Sequence, residues 1–110
     1  MNKDSLHEQA LEEFVLCLNE ERFYDAHEAL EAIWFPRRFE DNLEVKLIKG
    51  FINASVCFEL IKKQRFTSAS KVWNNYLKYR PLLYKIDSLY LNKYHQIARH
   101  LESIKYKKIS

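Results

Sequence analysis

Between Leu47 and Ile61 the chain puts apolar side chains around most of a helical circumference. Ile48, Phe51, Ile52, Ala54, Val56, Cys57, Phe58 and Leu60 point in many directions at about 100° per residue, whereas a surface helix keeps them to one stripe. A helix of this kind has to be surrounded, so the rest of the chain must supply its cover. Asp41 or Asn42 can cap it and Glu44 suits its first turn, which predicts a central helix near residues 43–63. Gly50 admits a close neighbour. Asn53, Ser55 and Glu59 are polar groups that such a helix must satisfy internally.

Turn formers are scarce. One Gly and two Pro among 110 residues fit a few long helices with short connections and do not fit many strands. The expectation is an all-α fold: a single domain over residues 1–110, a compact bundle of about five helices, with 1–4 and 106–110 frayed. Ser5 and Glu8 have capping-box spacing, so helix one starts near residue 5 and turns Leu6, Ala10, Leu11, Phe14, Cys17 and Leu18 inward. His7 belongs to its exposed first turn and has no expected role. Phe23, Ala26, Leu30, Ile33 and Trp34 form the inward stripe of helix two, which Pro36 closes by barring Phe35 from the helical region. A loop over 35–42 follows, carrying Arg37 and Arg38.

Arg65, Phe66 and Ala69 echo Arg22, Phe23 and Ala26 at a separation of 43 residues, as equivalent helices of stacked hairpins would. Helix four is expected to bury Phe66, Ala69, Trp73, Tyr76 and Leu77 and to end or kink at Pro81. After a bend over 82–88, with Asp87 or Asn92 as cap, the last helix shows Tyr94, Ile97, Ala98, Leu101 and Ile104 on one face. His95 and His100 fall toward its solvent side.

His27 lies inside the apolar arc of helix two, with Glu31 one turn later at the arc's edge and Glu28 turned further out. A buried polar group without a partner costs roughly 1–3 kcal/mol, so His27, Glu28, Glu31, Trp34 and Asn53 are grouped as a polar cluster. One of Asn53, Ser55 and Glu59 is expected to meet His27 or Glu31. The same residues suggest metal-assisted hydrolysis, with His27 and Glu31 as ligands and Glu28 as base. Zinc catalysis asks for three protein ligands, however, and the third would have to come from a residue such as Glu59 or His95. The pattern requires no cofactor.

Charge is divided along the chain. Through Glu44 there are 12 acidic and 4 basic residues, net −8; from Val45 there are 3 and 14, net +11. The two parts either face one another in the fold or pair between subunits. Lys62, Lys63, Arg65, Lys71, Lys78 and Arg80, interleaved with Trp73, Tyr76, Tyr79 and Tyr84, also offer phosphate contacts and stacking faces. Most of those aromatics sit at core spacing and no reader motif accompanies them, so nucleic acid ranks low as a partner. Cys17 and Cys57 lie on apolar faces as reduced thiols. With no run of about 18 apolar residues and a polar start, MNKDSLHEQ, a cytoplasmic protein away from the membrane is expected.

The run His27-Glu28-x-x-Glu31-x-x-Trp34, preceded by Phe23 and Ala26 and followed by LIKGFINASVCF and a second RFxxA, resembles the prokaryotic domain of unknown function 309 family over roughly residues 14–80. The resemblance implies a compact bundle of about five helices and no established reaction. Three positions depart from the family's habit. Its glycine before the first aromatic is Glu21 or Arg22 here, its glutamine after the central glycine is Asn53, and a later histidine is Leu60. The function expected is a binding or self-association module whose His27 and Glu31 network fixes helix packing. Its partner would be another protein or a second copy, including a homodimer mate covered by an exposed aromatic from residues 35–39.

Overall fold

The computed structural model describes residues 3–109, with residues 3, 4 and 109 described by their backbone alone. Met1, Asn2 and Ser110, in the ends expected to fray, lie outside the described residues. Five α-helices follow one another: α1 (Lys3–Asn19), α2 (Phe23–Trp34), α3 (Leu43–Lys62), α4 (Phe66–Tyr79) and α5 (Leu91–Ile109). Short 3-10 turns occupy Phe35–Arg37 and Arg80–Tyr84. No strand occurs among the described residues. The all-α expectation holds, while α1 begins two residues before Ser5 and α5 carries the lysine-rich tail as helix through Ile109.

Helix α3 is central because apolar side chains take up most of its circumference. Half of its 20 residues are buried, from Val45 to Phe58. Asn42 caps it, its Oδ1 accepting from the amides of Glu44 at 2.8 Å and Val45 at 3.3 Å. Ser55, the buried polar residue within it, donates to the Ile52 carbonyl at 2.8 Å. Gly50 performs the service its position suggested. A Cβ there would stand 2.9 Å from the Cβ of Tyr79, so the absence of a side chain is what lets α4 approach.

The 43-residue echo is a structural repeat. In the turn between α1 and α2, Glu21 has φ 56°; in the turn between α3 and α4, Gln64 has φ 59°. The amide of Arg22 reaches back to the Cys17 carbonyl at 2.8 Å, and that of Arg65 to the Leu60 carbonyl at 2.9 Å. Glu21 and Gln64 bond the carbonyls of Leu18 and Ile61 three residues back in the same way. Both are Schellman closures with a left-handed residue just beyond the helix. Glu21 and Gln64 thus hold a positive φ, which glycine is the residue to reach without strain.

Three local expectations are corrected. Phe35, expected outside the helical region, remains in it at φ −57°, as does Arg80 before Pro81 at φ −53°, although α4 ends at Tyr79 as Pro81 predicted. The prolines instead sit at the start of 3-10 turns, where a missing amide proton costs no bond. Phe66 and Leu77, expected inside, are exposed, while Ala69 and Tyr76 are buried. That side of α4 is not the one α5 meets: α5 reaches α4 through Glu102 at Tyr76 and Lys105 over Trp73, and sets Tyr94 against Phe51 of α3 at 5.9 Å between ring centres. The acidic and basic parts do meet. Lys62 donates to the Glu21 carbonyl at 3.1 Å, and Lys108 pairs with the Glu21 carboxylate at 3.4 Å.

Candidate functional site

His27 is held where α2 crosses α3. Phe23, Ala26 and Leu30 anchor α2 in the core, with Phe23 tilted on Phe58 at 5.2 Å, and the imidazole emerges beside them with its side chain 20% exposed. Its Nε2 stands 3.2 Å from Glu31 Oε1 on its own helix, and its Nδ1 stands 3.6 Å from Glu59 Oε2 on α3. The second separation is ion-pair range and too long for a hydrogen bond, and Nδ1 is buried without a hydrogen-bond partner. Of the three α3 groups named from the sequence, Glu59 is the one that meets His27. Burial pushes its carboxyl up from the ordinary value, with His27 pulling the other way.

The remaining members of the expected cluster go elsewhere. Glu28 is exposed, and its carboxylate raises the Tyr24 phenol. Trp34 carries the ammonium of Lys49 over its ring at 4.3 Å. Asn53 turns toward α4, donating to the Lys49 carbonyl at 2.8 Å and accepting from Asn75 at 3.4 Å. The two carboxylates address opposite nitrogens of one ring, an arrangement that does not gather them round a common ion. Among the described residues no group of three His, Cys, Asp or Glu side chains is placed to hold a metal.

A second polar network joins α1, α3 and α5, and sequence reasoning missed it. His7 is no idle surface residue. Its ring stacks on Tyr90 at 4.5 Å, its Nε2 lies 2.7 Å from the Tyr94 hydroxyl, and Glu44 Oε2 is 3.9 Å away. Tyr94 donates to Glu44, as does Ser88 at 2.7 Å. Since the hydroxyl's one proton points at the carboxylate, the bond from His7 uses an Nε2 proton. Burial and the Glu44 carboxylate together raise the Tyr94 phenol far above its usual range. The signal was available: His7 shares the helical arc of Leu11, Phe14 and Leu18, at steps of four, seven and eleven residues. His7 also borders an open groove of about 520 Å³ with Ile33, Pro36, Arg37, Glu40 and Glu44.

The family described as Domain of unknown function (DUF309) matches residues 11–72, more than half of the chain. The chain belongs to this DUF309 family. No curated protein and no solved structure matches it. The part shared with DUF309 runs from α1 into α4 and includes the contact of His27 with Glu59. His7, Ser88 and Tyr94 fall outside it.

The basic residues of this DUF309 chain do not form one cradle. Lys62, Lys63, Arg65, Lys71 and Lys78 are exposed, but Arg80 is engaged with Glu102 at 2.6 Å and Tyr84 at 3.3 Å. Tyr76 is buried and donates to Glu102 at 2.5 Å, so it is no stacking platform. The other named histidines are partly covered. His95 tilts toward Tyr84 at 5.8 Å, and His100 keeps a buried Nε2 without a hydrogen-bond partner. Burial, with Lys107 adding, lowers the His100 imidazole. Burial raises the thiols of Cys17 and Cys57 to about 11, so both stay protonated at neutral pH. No described helix is long and apolar enough to cross a membrane.

Proposed function

We propose that this chain is a non-catalytic binding or self-association module in which the His27 network fixes how α2 docks on α3. One observation carries the reading: the imidazole is wedged between carboxylates from two helices, 3.2 Å and 3.6 Å from its two nitrogens. A general base or a metal pocket directs its groups at a point that a substrate or ion can reach. Here the groups are directed at one another, which is how a polar cluster specifies packing. Binding is supported by an exposed aromatic corner, where the Arg38 guanidinium lies over Phe35 at 3.6 Å and over Phe39 at 4.4 Å. Such preordered aromatic and arginine groups are the residues that interfaces favour. The partner is a protein or a second copy, and the two buried thiols suit the reducing cytoplasm.

Thermal unfolding of His27→Ala tests the reading. Losing the ring leaves Glu31 and Glu59 without the group between them, and a cost of about 1 kcal/mol lowers Tm by roughly 4–8 °C. An unchanged Tm, with measurable hydrolase activity lost instead, would overturn it.

A further inference from the structure

We propose that copies of this chain associate head to tail, with the outer side of α4 in one copy docking on the outer side of α1 in the next. This deepens the binding-module reading and rests on it. The interface is written inside the molecule already. Within one chain the contacts by which α2 docks on α3 include Phe23 on Phe58, His27 by Glu59, and Trp34 under Lys49. The 43-residue repeat carries α2 onto α4 and α3 would follow at the next step, while α1 is the earlier equivalent of α3. Shifted by that period, Phe23, His27 and Trp34 become Phe66, Ser70 and Leu77; shifted back, Lys49, Phe58 and Glu59 become Leu6, Val15 and Leu16.

Four of those six positions hold large apolar side chains in solvent, while Val15 packs partly buried against the core and Ser70 is polar. Phe66 is 61% exposed and Leu77 45%, on α4; Leu6 is 50% exposed and Leu16 48%, on α1. An open groove of about 590 Å³ runs between α1 and α2, with Leu6, Glu13 and Leu16 on its α1 side and Ala29 and Ala32 on its α2 side. Its counterpart in the second hairpin is bridged by the hydrogen bond of Asn53 with Asn75, the 43-residue equivalents of Ala10 and Ala32. Within the chain α5 does not cover the outer side of α4, since it touches that helix through Glu102 at Tyr76 and Lys105 over Trp73.

Charge selects the pairing. Glu8, Glu12 and Glu13 are exposed on α1, whereas Arg65, Lys71 and Lys78 are exposed on and just before α4. The acidic α1 side and the basic α4 side complement each other, and a contact that joins one of each, leaving the other pair free, is heterologous and repeats along a row, as hairpins do in a solenoid.

Sedimentation velocity of the full chain tests this, in low and high salt, up to about 1 mM chain, where weak association still registers. Association that rises with concentration and weakens roughly tenfold in high salt is expected. Leu16→Arg disables the α1 side and Phe66→Asp the α4 side, with Leu77→Ser as a second α4 variant; circular dichroism checks that each folds. Each variant alone should be monomeric, and an equimolar mixture of Leu16→Arg with Phe66→Asp should form a one-to-one dimer, because each supplies the side the other lacks. A wild-type monomer at every concentration, or a mixture that stays monomeric, would overturn the proposal. So would binding of a single-stranded oligonucleotide by wild type that Phe66→Asp abolishes while the chain remains monomeric. The His27 melting test is indifferent to these outcomes and judges the underlying reading separately.

Discussion

The two helical hairpins share a turn and part company at the opposite end. At the closed end, Glu21 and Gln64 adopt the same left-handed conformation and the same pair of backbone bonds finishes each preceding helix. At the open end the second hairpin is pressed together, Gly50 against Tyr79. The equivalent positions in the first hairpin are His7 and Pro36, and there the helices frame the groove of about 520 Å³. Backbone hydrogen bonds preserve the turn whatever the side chains, whereas the spacing of the far ends depends on the size of one residue. The groove and the His7 network occupy the place where the first hairpin carries His7 instead of a glycine.

The largest effect should come from closing off that difference. Gly50→Leu drives a side chain into Tyr79 and forces the second hairpin apart, for a loss of about 3 kcal/mol by urea unfolding; stability near wild type would mean that the close approach is incidental. Next is Tyr94→Phe, which removes a donor from Glu44 and the acceptor of His7. A loss of about 1–3 kcal/mol is expected. Should the loss be absent, the open end of the first hairpin is not fastened by this network.

The shared turn predicts a gain. Glu21→Gly and Gln64→Gly each relieve a left-handed side-chain residue and should raise stability by up to about 1 kcal/mol, the two gains adding because the turns are independent. Opposite signs for the two would break the equivalence. The smallest effect concerns pH. With its imidazole lowered in the fold, His100 refuses a proton that the unfolded chain takes up below its ordinary value of 6.5, so stability falls as pH drops through that value. His100→Gln should flatten that decline in urea midpoints measured at about pH 7.5 and about pH 5.5.

How much was legible in the sequence follows from distance along the chain. The Asn42 cap, the central α3 and the inward stripe of α2 are set by neighbours within a turn or two, and periodicity reads them. Phe66 and Leu77 repeat the spacing of Phe23 and Trp34, yet spacing tells which residues share a side and not whether another helix will cover it. His27 with Glu31 is a local pair, one helical turn apart, and was readable; Glu59 could be narrowed only to one of three. His7 finds Tyr94 at a separation of 87 residues. Composition alone does not bring such residues together, although its arc with Leu11 and Phe14 marked His7 as turned inward.

The docking of α2 on α3 through His27 is most directly tested by a double-mutant cycle in urea, with His27→Ala, Glu59→Ala and the pair. A coupling of at least about 0.5 kcal/mol between the two positions is predicted, since they act across one interface. Strictly additive losses would contradict it and return His27 to the search for a substrate or an ion.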